Sequence, residues 1–162
     1  ITSYARRFTI SVAQANYDKF IYSDTDSAHC IGSPDELTGV NLHPTEYNHW
    51  AVESVWDNAI FTRQKTYVEH VVQTGGNDGL VECSPYYDLK CAGMPDRCKQ
   101  LFIMSMTGEY NPDELEPDEL EFVKTRRDIS DLKVGLVVPS KLYIKRIRGG
   151  IVLERGPFTV KQ

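Results

Sequence analysis

The chain of 162 residues has no uninterrupted apolar run of the roughly eighteen residues a membrane-spanning helix needs, and nothing near its start resembles a secretory signal. Those two absences lead us to expect a soluble, cytoplasmic protein. It also has no initiator methionine. Ile1 stands inside what reads as a helix, so the start looks like the boundary of a piece. The four cysteines, Cys30, Cys83, Cys91 and Cys98, form no C-x-x-C pair and read as reduced thiols rather than zinc ligands. His29, His43, His49 and His70 are scattered, without an H-E-x-x-H pattern, and read as surface or partly buried histidines. Positive charge is scarce as well: 18 Lys and Arg face 23 Asp and Glu, and a formal net charge of -5 taken alone argues against a nucleic-acid binder. At 41% hydrophobic residues the chain can fill a modest core, as one domain or two small ones.

The charge is unevenly placed. Residues 124 to 162 hold ten cations (Lys124, Arg126, Arg127, Lys133, Lys141, Lys145, Arg146, Arg148, Arg155 and Lys161) against three acids (Asp128, Asp131 and Glu154). That surplus of seven leaves -12 on the remainder. A basic arm on an acidic body fits a tail that meets a phosphate backbone, and it also fits a merely solvated basic hairpin.

Two short apolar runs, Asp18 to Tyr22 and Ser27 to Ile31, flank Ser23-Asp24-Thr25-Asp26 and predict a β-hairpin with two carboxylates at its tip. Hard oxygen donors suit Mg²⁺, which commonly takes one or two protein carboxylates plus substrate phosphates. Asp and Thr are also ordinary turn residues, and nucleotide-sugar transferases use a metal-binding Asp-x-Asp. The spacing by itself leaves all three readings open.

Elsewhere, Ile1, Tyr4, Ala5, Phe8, Val12 and Ala15 recur at helical spacing and predict an amphipathic helix packed beneath the hairpin, with Arg6 and Arg7 facing solvent. A loop from Gly32 to about Thr45 allows a short helical turn at Asp35 to Leu37. From Asn48 to Val72 the β-branched and aromatic residues favour strands, Thr74 to Gly79 is a hairpin connection, and Leu80 to Cys91 reads as the returning strand. A strand over 63–72 would place Lys65 and Tyr67 on one face. Pro95 to Phe102 predicts a short helix begun by Pro at its first position. Pro112-Asp-Glu-Leu-Glu116 is repeated at once as Pro117-Asp-Glu-Leu-Glu121, predicting an exposed acidic segment with a helical turn per copy, turned away from any nucleic acid. The tail reads as strands closing in a hairpin, with Lys145, Arg146 and Arg148 near its turn.

Tyr22-Ser23-Asp24-Thr25-Asp26-Ser27 resembles the catalytic C motif, Y-x-D-T-D-S, of family B DNA polymerases. Arg63-Gln64-Lys65-Thr66-Tyr67 resembles that family's K-x-Y motif. Lys90-Cys91-Ala92-Gly93-Met94, Gly149-Gly150-Ile151-Val152-Leu153 and Phe158-Thr159-Val160-Lys161 resemble the end of protein-primed phage polymerases of the phi-twenty-nine type. The order and spacing match across nearly the whole chain. The resemblance implies that Asp26 is the principal metal ligand of the motif, with Asp24 its partner. It implies that Tyr22, Thr25, Lys65 and Tyr67 contact the primer terminus and nucleotide, and that the segment after Cys91 is a thumb that grips the duplex; together with the basic tail this makes Arg63, Lys141, Lys145, Arg146 and Arg148 the expected DNA contacts. The implied cofactor is Mg²⁺ or Mn²⁺. The implied partners are primer-template DNA, dNTP and, further, a terminal protein primer, in a bacterial host cell.

The family's A motif, its B motif (K-x-x-x-N-S-x-Y-G) and its exonuclease domain have no counterpart in this sequence. The reading is therefore an α+β fold with an antiparallel palm portion at 1–91, backed by the first helix, and a small, mostly β thumb at 92–162. Its function would be the C-terminal part of a two-metal nucleotidyltransferase, inactive alone. The alternatives are a non-catalytic DNA-binding module or prophage remnant and, behind it, a metal-dependent glycosyltransferase.

Overall fold

The structure, a computed structural model, describes residues 2–161, without the side chains of Thr2, Tyr4 and Ala5. Helix α1 (Thr2–Ala15) leads into β1 (Phe20–Asp24) and β2 (Ser27–Cys30), then β3 (Ser54–Arg63), β4 (Thr66–Gly76) and β5 (Gly79–Cys91). Helices α2 (Asp96–Thr107) and α3 (Pro117–Lys124) follow, and β6 (Val137–Ile147) and β7 (Gly150–Thr159) close the chain. The strands form three sheets, ordered β1-β2, β3-β4-β5 and β6-β7, with connections short enough to force antiparallel neighbours. The α+β class matches the expectation.

Two compact units divide these elements: 1–58 with 70–86, and 59–69 with 87–162. The division runs across the three-stranded sheet, so β3, β4 and β5 each contribute to both units.

In the first unit α1 packs against the β1-β2 hairpin as predicted, but through a different stripe. Thr9, Val12 and Asn16 are buried, whereas Phe8 and Ala15 are exposed. Ile1 and the side chains of Tyr4 and Ala5 lie outside the described residues. The correction has a polar cause. Thr9 and Asn16 are buried because they have partners there, which hydropathy spacing does not register. Asn16 donates to the carbonyls of Val12 (2.9 Å) and Thr38 (3.0 Å) and accepts from the Thr38 amide (2.7 Å). It thereby ties the helix end to the following loop. At Gly75, a Cβ would stand 1.8 Å from the Val52 carbonyl oxygen, so only glycine allows this approach of β4 to the chain before β3.

The second unit holds a core of Val68, Leu89, Leu101, Phe102, Val123, Leu132, Val138 and Val160, among others. Truncating one of its fully buried members, Leu101 or Leu132, would cost about 2–5 kcal/mol. Helix α2 begins after Pro95, which occupies the capping position rather than the first helical one, and it runs past Phe102 to Thr107. Its burial explains the extension: Cys98, Leu101, Phe102, Ser105 and Met106 continue one apolar face until Gly108 ends the helix in the left-handed region, φ +77. The second Pro-Asp-Glu-Leu-Glu copy becomes the start of α3 and the first a 3₁₀ turn (Pro112–Glu114), one helical turn per copy. The expected full exposure fails at Glu119, which is 3% exposed.

A candidate metal-binding turn and a basic hairpin

Asp24 ends β1 opposite Ser27, and Thr25-Asp26 make the two-residue turn. Thr25 has φ +39, a left-handed conformation that a β-branched residue adopts only under strain, on the order of 1–3 kcal/mol. Three hydrogen bonds hold it there. The Thr9 hydroxyl of α1 donates to the Thr25 carbonyl at 3.0 Å, the Ser27 hydroxyl donates to the Asp24 carbonyl at 3.1 Å, and the Thr25 hydroxyl donates to Asp24 Oδ1 at 3.2 Å. Thr9 is the positioning residue that sequence reading missed. Its only signal was the i, i+3, i+7 stripe it shares with Val12 and Asn16.

Asp26 is exposed, whereas Asp24 is half-buried. Asp26 also borders a cleft of about 490 Å³ in the first unit, whose walls include His29, Cys30, Trp50 and Trp56. Across the hairpin, Tyr22 pairs with His29, their ring centroids 5.4 Å apart. Burial pushes the Cys30 thiol upward in pKa, away from the reactive thiolate. Among the described residues no group of three or more His, Cys, Asp or Glu converges as a metal cage. The donor set is therefore two hard carboxylates on one turn. That fits a divalent cation whose remaining ligands are water and phosphate, and it does not fit a closed structural site.

Arg63, Lys65 and Tyr67 fall in the second unit. Lys65 is not on a strand face with Tyr67, as the sequence implied. It occupies the β3–β4 turn with φ +57, and its carbonyl accepts from the Ala92 amide at 2.9 Å. The physical reason is that Gln64-Lys65 form a two-residue hairpin loop, whose twist calls for left-handed backbone. Tyr67 lies on β4 and stacks on Phe61, centroids 5.1 Å apart. Arg63 ends β3, and its buried Nε meets no acceptor among the described residues.

In the tail, Arg148 and Gly149 turn the β6-β7 hairpin, and Arg146 and Lys145 pair with Ile151 and Val152 just below. Several cations are already engaged. Lys145 Nζ lies 3.1 Å from Glu154 Oε2, and Lys141 Nζ sits 5.3 and 5.1 Å from the ring centroids of Tyr143 and Phe158. Arg127 caps α3 by donating to the carbonyls of Phe122 and Thr125, with its guanidinium 3.8 Å from the Phe122 ring centroid. Arg146 and Arg148 are exposed at the hairpin tip. No described helix is long and apolar enough to cross a membrane.

No family model matches the chain. It is nevertheless similar over 99% of its length to the DNA polymerases of Bacillus phage phi29 (35% identity) and Bacillus phage B103 (31%), covering 25% of each. It is 41% identical to the DNA polymerase of Streptococcus phage Cp-1 over its full length, covering 22% of that protein. The chain thus spans about a quarter of the length of these relatives. Among solved structures it resembles phi29 DNA polymerase complexed with primer-template DNA, with TM-score 0.69, 32% identity and coverage of 99% of this chain and 25% of that one. The ternary complex with primer-template DNA and incoming nucleotide substrates matches with TM-score 0.69 and 31% identity. Matched over nearly its whole length by these polymerases and by their solved structures, the chain is homologous to the C-terminal part of phi29-type phage DNA polymerases.

Proposed function

We propose that this chain supplies the acidic turn and the DNA grip of a template-directed nucleotidyltransferase, with 1–91 as the palm portion and 92–162 as the thumb. The observation that carries the reading is the pair Asp24 and Asp26 on a strained, hydrogen-bonded turn within a chain matched end to end by phage DNA polymerases. Asp26, and Asp24 beside it, would hold Mg²⁺ or Mn²⁺. When bound, such ions neutralise triphosphate charge and lower the pKa of the attacking hydroxyl. The chain's own residues do the positioning: Thr9, Thr25 and Ser27 fix the turn, so the carboxylates need little reorganisation to accept a cation. Tyr22, Thr25, Lys65 and Tyr67 would meet the primer terminus and nucleotide. Arg63, Lys141, Lys145, Arg146 and Arg148 would meet primer-template phosphates, and a terminal protein is a further partner. The working place would be the bacterial host cytoplasm.

Two carboxylates cannot by themselves fix two ions at the roughly 3.5–4 Å spacing that two-metal catalysis uses. The chain alone should therefore bind Mn²⁺ weakly, lose that binding in Asp26→Asn, and fail to extend a primed template. Calorimetric titration with Mn²⁺ and a primer-extension assay measure the two. Tight binding untouched by Asp26→Asn would place the metal elsewhere, and clear templated extension would refute the partial-site reading.

A further inference from the structure

The duplicated Pro-Asp-Glu-Leu-Glu segment has no part in the chemistry above, yet it forms a polar cluster that meets the base of the basic hairpin. We propose that this segment is the anchor of the β6-β7 hairpin, with Glu119 a positioning residue that sets how the hairpin presents its cations to a nucleic-acid backbone. The Glu119 carboxylate is buried and accepts from Arg97 Nε (3.0 Å) and Nη2 (2.5 Å) of α2 and from the Ser140 hydroxyl (2.5 Å) of β6. Its Oε2 also accepts the Glu116 amide at 3.2 Å, closing the capping box of α3. The two copies converge on one cation: the carbonyl of Glu114, the counterpart of Glu119 in the first copy, accepts from Arg97 Nη2 at 3.3 Å.

From the hairpin side, Arg155 of β7 donates to the Ser140 hydroxyl at 2.7 Å and to Asp118 Oδ1 at 3.2 Å, and lies 3.8 Å from Glu116 and 3.5 Å from Glu119. Ser140 sits where the β6-β7 register shifts, between the pairs Val138↔Phe158 and Lys141↔Gly156, with φ +75. A bulge bends a strand, and this one is held in left-handed backbone by a buried charge-assisted bond. Every residue from 142 to 155 is exposed, so the direction of the arm is set at this base. Three of the repeat's six acids, Glu116, Asp118 and Glu119, thus face Arg97 and Arg155 rather than being left to repel phosphate, and Arg155 serves the anchor instead of the DNA.

The inference rests on the DNA-grip reading for its consequence, but not for its geometry. Glu119→Gln and Arg155→Gln in this chain test it by hydrogen exchange and by anisotropy titration of a fluorescein-labelled duplex of mixed sequence. The hairpin amides of residues 141–156 should exchange roughly tenfold faster in both variants, while those of β3 and β4 hold. DNA affinity should fall roughly three- to tenfold in Glu119→Gln, although losing a negative charge would by electrostatics alone tighten binding. Wild-type exchange in both variants overturns the anchor. Faster exchange with unchanged or tighter DNA binding overturns the positioning role. Should the wild-type chain bind no DNA while exchange still quickens, the DNA reading fails and the anchor stands. If Glu119→Gln does not fold, Arg155→Gln, which leaves the Arg97 pair intact, decides by exchange.

Discussion

At the scale of single residues, the carboxylate with the strongest electrostatic support is Glu119, in the hairpin anchor. The Arg97 guanidinium bonded to Glu119 holds its carboxyl well below the usual range, at about 2 against an ordinary 4.5, with Ser140 and the Glu116 amide assisting against burial. A depressed carboxylate pKa contributes stability that is fully present above the unfolded value and disappears as pH falls through the folded one. The second unit should therefore lose stability between about pH 4.5 and about pH 2. Thermal melts of the wild type and Glu119→Gln across that window check the sign: the gap between the two should narrow as the acid form of Glu119 takes over. A constant gap would mean that Glu119 stabilises by shape rather than by charge. Arg97 itself is raised by the same bond, which keeps it charged throughout.

Among the elements, β4 shows how a backbone contact can outweigh side-chain chemistry. The Gly75 amide donates to the Glu53 carbonyl at 2.8 Å, and the missing side chain is what lets that bond form. Because the obstructing atom is a backbone oxygen 1.8 Å from the would-be Cβ, no rotamer change relieves it. Gly75→Ala should destabilise the first unit by about 3 kcal/mol or more, the upper end of overpacking costs. Gly76→Ala, whose Cβ would meet Val81 Cγ2 at 3.4 Å, should cost far less. Urea denaturation of the two variants compares neighbouring glycines in one strand. Equal losses would mean that strand propensity, not the Val52 contact, is what matters.

On the scale of the whole molecule, charge is the property to test, since an acidic chain with a basic tail is expected to bind duplex DNA without sequence preference. The structure narrows which cations are available: Arg127 caps a helix, Arg155 is clamped and Lys145 is paired with Glu154. Replacing Lys145, Arg146 and Arg148 together with Gln should weaken binding and reduce the slope of log K against log salt. Arg146 and Arg148 should carry most of the change, roughly one unit each. Binding and salt slope that survive the triple change would leave the hairpin a solvated surface.

The local elements were legible in the sequence because they follow from neighbours along the chain. The hairpin around Asp24 and Asp26, the helix before it, a turn per Pro-Asp-Glu-Leu-Glu copy and the basic closing hairpin all follow from period, turn residues and proline placement. What the sequence could not decide was which polar groups would be buried. Thr9, Asn16 and Glu119 look like solvent-facing residues until Thr25, Thr38, Arg97 and Ser140 are brought to them from as many as 22 residues away. Lys65 likewise reads as a strand residue until the tight β3–β4 turn puts it in left-handed backbone. Hydropathy patterns record the cost of leaving water. Only the tertiary structure supplies the hydrogen-bond partners that offset the cost for a buried threonine, asparagine or glutamate.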